Sequence, residues 1–591
     1  MIPAARWMVL ALFLSAAQAL AADNAEVQLC LQHLKPGERE KAEKALGSLE
    51  ELPLYRVQLQ VDPTGREVKG RVEVEVTARK RTISELFLRV TPNAQGRKVT
   101  LSEAKVAGQA VAIERPEPTL IRVPVNPPVE SGGRVKLEVS LQASVPRAKE
   151  NVGSLLGALG ASGPPGDYGA FSAAPDFLSL VGIVPMLPPL HADGTPWAGP
   201  SGIGDLALYE PSNVVATVTV PSGWKVHATG VALGEVPEKT EGVRFSFAAS
   251  LVRDFPVFVS QGYQSATRTV GGVTVESFFS ARDAKVGQRV LQYTASALET
   301  FEPKLGALPY KHFRVVEAPL SDGAGGMEFQ GLITVGTSLY RGAADPNSIF
   351  EGSGLGMFKD MLQQMQSIGV TMPGGEDPLQ NIAKTIERTL EFTVAHEVGH
   401  QYFAGLVGTD PIKEPVADEA LTQYSALLYY EWAHSQADAE ALRQEALVAA
   451  YQMYRMMGGV DGPAQRPTEE FGSSMEYGAI VYGKAPNFYH FARKQVGDTA
   501  FFKGLRSYVD TYRYKWACLD CFRKELAKAS PGSGSSLERL QSRWWKGTHG
   551  DEDLGAFDFN SLMGGSMGDM KLDAETQKMM EEMLKGMTGG E

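Results

Sequence analysis

The sequence predicts a multidomain β + α chain, an N-terminal antiparallel β domain followed by a mostly helical one, and three observations carry that expectation. Its 591 residues exceed what one core of ordinary size serves, at roughly 100 to 200 residues per domain. Apolar residues alternate with period two from Tyr55 to about Pro146, as on a strand with one buried face. From Ala281 onward they recur at helical spacing instead.

Each segment has its own signature. Residues 1–22 hold Arg6, the apolar run Trp7 to Ala17 and small residues spaced as Ala17-x-Ala19 and Ala19-x-Ala21, the layout of a cleavable signal peptide. A secreted or periplasmic protein is the expectation. No later stretch approaches the roughly 20 apolar residues of a membrane helix, so no stable membrane span is expected after processing. Residues 23–54 read as a short helical lead. Over 55–263 the β domain shows Tyr55-Arg-Val-Gln-Leu-Gln-Val61 and Val72-Glu-Val-Glu-Val76, with the turn Asp62-Pro-Thr-Gly65 between them. A Gly/Pro/Ala-rich stretch from about Gly153 to Gly204 interrupts the pattern, which resumes at Val214 to Val220 and Trp224 to Leu233. Over 264–550 helices are expected at Val286 to Phe301, Asn381 to Phe403, Glu419 to Ala433 and Phe501 to Tyr512. Residues 551–591, rich in Gly and Met, are too few for a domain and read as a tail.

Composition narrows the function classes. A net charge of -12, from 57 Lys+Arg against 69 Asp+Glu, argues against nucleic acid as a partner, because that affinity comes largely from neutralising phosphates. Three cysteines cannot staple a scaffold, and Cys518-Leu519-Asp520-Cys521 reads as a local disulfide or two free thiols.

The chemistry lies in His396-Glu397-Val398-Gly399-His400. Residues four apart on a helix are about 40° apart around its axis, so both imidazoles reach one ion with Glu397 beside it as a base. Catalytic zinc takes three protein ligands and keeps a position for water. A third donor must come from a second element, and Glu419, at the start of the next helical stretch, is the candidate. A glutamate there also fits as a charge complementing the helix dipole.

These residues resemble the gluzincin aminopeptidases of the aminopeptidase N family, whose metal motif is His-Glu-x-x-His, eighteen residues, then Glu. His400-Gln401-Tyr402-Phe403-Ala404-Gly405-Leu406-Val407 is similar to the family's His-Gln-Trp-Phe-Gly-Asn-Leu-Val, and Asp418-Glu419-Ala420 stands where Asn-Glu-Gly is usual. Gly325-Gly326-Met327-Glu328-Phe329 looks like Gly-x-Met-Glu-Asn, with Phe329 in place of Asn. Tyr482-Gly483-Lys484-Ala485 is similar to Tyr-x-Lys-Gly, where the lysine selects Tyr482 over Tyr477. The resemblance implies a thermolysin-like catalytic domain, one Zn2+ per chain on His396, His400 and Glu419, and Glu397 as base. It also implies Tyr482 as oxyanion donor, and Glu328, among Gly325, Gly326 and Met327, as the group that binds a substrate α-amine. Asp176 is a candidate second amine-binding acid. Two departures are expected: an inserted flap at 341–380, carrying Met357, Met361 and Met365, and a more open cleft, since only 41 residues follow Gly550 where the family has a helical domain.

The expectation is a zinc aminopeptidase whose partners are peptide substrates. An endopeptidase on the same scaffold is the first rival, and a non-enzymatic protein holding a structural zinc the second. The latter requires a fourth protein ligand, for which the sequence offers no obvious residue.

Overall fold

In the computed structural model, strand Leu54–Asp62 sets the frame of the first half. Tyr55, Val57, Leu59 and Val61 are all buried while the residues between them face outward. Each large apolar side chain so buried is worth about 1.5–3 kcal/mol. The structure describes residues 24–79, 81–148, 166–200, 202–206, 208–238, 242–347 and 378–555. The expected signal peptide, most of the 341–380 insertion with its three methionines, and nearly all of the tail lie outside them.

Leu54–Asp62 pairs antiparallel with Glu67–Thr77, and in the turn between them the Gly65 N–H donates to Asp62 Oδ1 at 2.9 Å. On its other side it pairs in parallel with Ser212–Pro221. That parallel neighbour needs a long crossover, supplied by the chain from 63 to 211, which forms further strands on the way. The resulting eight-stranded sheet is otherwise antiparallel. It packs with a three-stranded and a four-stranded sheet around one apolar core.

The second half opens with a five-stranded sheet rather than with a helix. Its order is Tyr263–Val270, Val273–Ser280, His312–Ala318, Leu332–Gly336 and, at the edge, Gly326–Phe329. The edge strand is antiparallel to its neighbour, with Glu328 opposite Ile333. Helix Ala284–Leu305 buries Val286, Val290, Thr294, Leu298 and Phe301 at helical spacing. Helix Pro378–Gly399 does the same with Ile386, Leu390, Val394 and Val398, four apart, so the opposite stripe of that helix is free to carry chemistry. Helix Glu419–Ala433 spans the expected residues.

The helical lead belongs to the core of the second half. Val27, Cys30, Leu31 and Leu34 share its apolar cluster, His33 stacks on Tyr310 at 4.7 Å, and Arg513 donates to Glu38 at 2.6 Å. Arg253, wholly buried, ties the two halves together. Its guanidinium lies over Trp516 at 4.3 Å and donates to the carbonyls of Tyr209, Gly405 and Lys515. Cys518 and Cys521 form a disulfide.

Candidate metal centre and active site

Helix Pro378–Gly399 ends at the metal motif, and the chain then turns sharply: the Gly405 N–H donates to the His400 carbonyl at 2.9 Å and the Leu406 N–H to that of Gln401 at 3.0 Å. The expectation of a helix to Phe403 is thus four residues too long, because the Gly405 and Leu406 N–H groups reach back five positions rather than the four of an α-helix and carry the chain out of the helix. Gly399 is where the two helices touch. A Cβ there would lie 2.5 Å from Ser425 Oγ and 3.1 Å from Thr422 Cγ2, so only glycine lets helix Glu419–Ala433 approach. Asp418 caps that second helix, its Oδ1 accepting the Glu419 N–H at 2.8 Å and its Oδ2 the Thr409 hydroxyl at 3.1 Å. The cap sets Glu419 in the first turn, facing both histidines.

His396, His400 and Glu419 form the metal-holding group found among the described residues. The two Nε2 atoms are 3.0 Å apart, and Glu419 Oε2 lies 3.4 Å from that of His396 and 3.3 Å from that of His400. Donors bound to zinc at about 2.0–2.1 Å in a tetrahedron are about 3.3–3.4 Å apart, so this triangle fits one face of such a site. His400 Nδ1 contacts the Phe403 carbonyl at 2.9 Å, which fixes the tautomer that presents Nε2 to a metal. Glu419 Oε2 is buried without a hydrogen-bond donor, as a metal-ligating oxygen would be.

The electrostatics also call for a cation. Burial opposes charge on Glu419, but the two histidines hold its carboxyl well below the usual carboxylate range. Burial likewise disfavours a charged His400, yet Glu328 and Glu419 raise it well above an ordinary imidazole. Glu397 is pushed far up by burial and by Glu328, and Glu328 up by burial. Acids outnumber the imidazoles they face, and a divalent ion corrects the imbalance.

Edge strand Gly326–Phe329 lies directly over Glu397. A Cβ on Gly326 would sit 2.5 Å from Glu397 Cδ, 2.6 Å from its Cγ and closer still to Oε1. Alternation along the strand turns Glu328 to one face and Phe329 to the other. Phe329 is buried and packs edge-on against Phe258 at 6.0 Å, so the residue that replaces Asn is absorbed into the core. Met327 packs beside the same cluster, and the Gly325 carbonyl accepts the Gly336 N–H at 2.8 Å.

Tyr482 lies on a π-helical turn, Gly478–Lys484, a feature frequent at functional sites. Its ring is 5.8 Å from that of His396, and its hydroxyl donates to Glu419 Oε1. Lys484 is a clamp for this turn, fully buried and donating to Asp461 at 2.5 Å and to the carbonyls of Gly462 and Gly547 at 2.8 Å each. Tyr477 stands 5.7 Å behind Tyr482, with its hydroxyl buried and unpartnered.

Asp176 is not at this site. It occupies the turn before strand Phe177–Leu180, where its carbonyl accepts the Gln261 N–H and its charge acts on Tyr263. The acid that the β domain does bring is Asp205, whose carboxyl is pushed far up by burial and then by Glu328 and Glu419. It sits in the loop after the Gly/Pro-rich stretch, with no motif around it to single it out.

Comparison with known proteins agrees with this geometry. Residues 368–544 match the family model described as Peptidase family M1 domain. No curated protein matches the chain. Among solved structures, the chain is similar to an M1 zinc metallopeptidase from Deinococcus radiodurans, with a TM-score of 0.56 at 18% identity over 84% of this chain and 94% of that one. A mutant of an M1 zinc metallopeptidase from the same organism, bound to a Tyr-Ser-Ala substrate, matches over the same shares at 18% identity with a TM-score of 0.53. A two-domain M1 zinc metallopeptidase mutant bound to L-arginine gives 0.54 at 18% identity and the same coverage. The matched segment contains His396, Glu397, His400, Glu419 and Tyr482, and it sits in a fold similar to that of two-domain M1 zinc metallopeptidases: the chain carries a peptidase family M1 domain, with His396, His400 and Glu419 placed to hold its zinc.

Proposed function

We propose that this metallopeptidase is an aminopeptidase that releases single residues from the N-termini of peptides. The observation that carries the reading is the seat of strand Gly326–Phe329 against Glu397, which brings Glu328 into the same cleft as the metal ligands. Zinc held by His396, His400 and Glu419 supplies a Lewis acid and a water acidic enough to ionise near neutral pH. Glu397, buried beside the ligands, takes the proton of the attacking water and delivers it to the leaving amine. Tyr482 is the oxyanion donor. Its one hydroxyl proton is donated to Glu419 Oε1 in this structure, so that role requires the hydroxyl to turn from the carboxylate to the substrate oxygen as charge develops there. Glu328, pushed toward neutrality by burial and by Glu419, and Asp205, pushed the same way by burial and by Glu328, gain a compensating charge when a substrate ammonium enters beside them. An ammonium fixed at that point would bring the first peptide bond beside His396, His400 and Glu419, the residues that would hold the metal.

The test is a matched panel of free and N-acetylated peptides. Acetylation removes the charge and most of the donors, and should abolish most of kcat/KM. Equal cleavage of acetylated peptides at internal bonds would make the enzyme an endopeptidase.

We also propose export through the N-terminal segment. The Cys518–Cys521 disulfide suits an oxidising compartment, and among the described residues no helix is long and apolar enough to cross a membrane. Fractionation with mass measurement of the mature N-terminus tests this; a chain that begins at Met1 in the cytosol would refute it.

A further inference from the structure

Gln401 follows the metal ligand His400 directly and ligates nothing. Its side chain is 2% exposed and both ends of its amide are used. Oε1 accepts the Gly331 N–H at 2.9 Å, and Nε2 donates to the Phe329 carbonyl at 2.9 Å. Phe329 and Gly331 flank the turn that joins Gly326–Phe329 to Leu332–Gly336. Gly326–Phe329 is the last strand of its sheet, so its outer edge has no neighbouring strand to hold it. The Gln401 amide has the donor and acceptor of a peptide group and instead holds the turn at the end of that strand, where the Phe329 carbonyl and the Gly331 N–H lie. The Arg253 N–H donates to Gln330 Oε1 at 2.7 Å, which secures the same turn from the β domain.

We infer that Gln401 is a positioning residue that sets the amine-binding carboxylate relative to the metal. The argument is one of adjacency. Residue 401 is bonded to the residue after Glu328 and is itself the residue after His400, so a single rigid amide spans the two functional groups. Both of its bonds are buried, and losing a buried partner leaves a peptide group unsatisfied. Relaxation of the edge strand would therefore move Glu328 while leaving His396, His400 and Glu419, which are held by other elements, in place. The functional part of this inference rests on the aminopeptidase reading, whereas the tether itself does not.

The experiment uses the zinc-loaded full chain and the variants Gln401→Ala, Gln401→Glu, Glu328→Ala and Glu328→Ala/Gln401→Ala. Amide hydrogen exchange at Gly331 reads the tether directly. Gln401→Ala should speed it about tenfold or more, the scale of one buried hydrogen bond, with zinc content unchanged. Gln401→Glu keeps an acceptor for Gly331 but sets an oxygen against the Phe329 carbonyl, so Gly331 should stay protected. In both variants the ratio of kcat/KM for free over acetylated peptides should fall about tenfold, mainly through KM. The double variant should discriminate no less than Glu328→Ala alone, because Gln401 acts through Glu328. Unchanged exchange in Gln401→Ala overturns the tether. Equal losses on free and acetylated peptides, or a further fall in the ratio in the double variant, overturn the positioning role. A parent enzyme without preference for free amines refutes the aminopeptidase reading instead, and the exchange result then still decides the tether.

Discussion

Replacing Gly326 by alanine tests the seat of the edge strand most severely. The new Cβ would meet Glu397 Cδ at 2.5 Å where ordinary contact begins at 3.4 Å, so about 0.9 Å must be found. A rotation of the carboxylate alone does not relieve it, since Glu397 Cγ is also only 2.6 Å away. Either the whole Glu397 side chain swings off its line to the attacking water, or the strand recedes and takes Glu328 with it. A misplacement of about 1 Å in a catalytic array costs on the order of 100-fold, which corresponds to about 2.7 kcal/mol of transition-state stabilisation. Overpacking of this kind costs about 1–3 kcal/mol of folding stability. Gly325→Ala is the control, because its nearest neighbour would be Thr393 Cγ2 at 3.3 Å, a contact a slight shift accommodates. The assay is kcat/KM on free-amino peptides for both variants, with zinc content and thermal midpoint measured on the same samples. Gly326→Ala should keep its zinc, fold, and lose about 100-fold, while Gly325→Ala stays within about threefold of the parent. A Gly326→Ala enzyme with parental kcat/KM would refute the placement of the strand over Glu397.

Other consequences are open to measurement. Glu397→Gln should retain zinc and lose about 100- to 10,000-fold in kcat, whereas Glu419→Ala should lose the metal; indistinguishable metal contents would show that base and ligand have been confused. Tyr482→Phe should lower kcat about 100- to 1,000-fold with little change in KM, and Tyr477→Phe far less; the reverse ranking would exchange the roles of the two tyrosines. Burial raises the Asp254 carboxyl from 3.8 to about 7, so the folded chain keeps a proton that the unfolded chain gives up. Its contribution to stability is therefore full below about pH 4 and is lost as pH rises to about 7. Asp254→Asn should gain thermal stability relative to the parent across that window and hold a constant margin above pH 8. A margin independent of pH would show that this acid does not titrate in the window.

The metal motif was legible because its geometry is local: three residues of helix separate His396 from His400, and eighteen lie between His400 and Glu419. The β domain was legible for a related reason, since alternation along Leu54–Asp62 is the burial pattern itself. What sequence did not disclose depends on contacts between distant segments. Asp205 comes to Glu328 across two domains with no periodicity to mark it, and Asp176, the candidate second amine-binding acid, is elsewhere. Strands His312–Ala318 and Leu332–Gly336 are buried on both faces, so they lack the alternation that marks a half-buried strand. Gln401 was visible only as a letter in a motif. Its task emerges once residue 329 is brought beside it.

The bond between Arg513 and Glu38 spans 475 residues, and this fixes an order of events while the chain is being made. Helix Pro36–Leu46 has 11 residues, short of the roughly 12–15 at which an isolated helix is even marginal in water. At about 5–20 residues per second of synthesis, roughly 24 to 95 s separate the emergence of Glu38 from that of Arg513. Throughout that interval helix Pro36–Leu46 has no completed site to occupy. The β sheet can close around its own core in the meantime, but the catalytic half is sealed by residues from both extremes of the described chain. Any ribosomal product cut short before Arg513 would therefore leave that seal open.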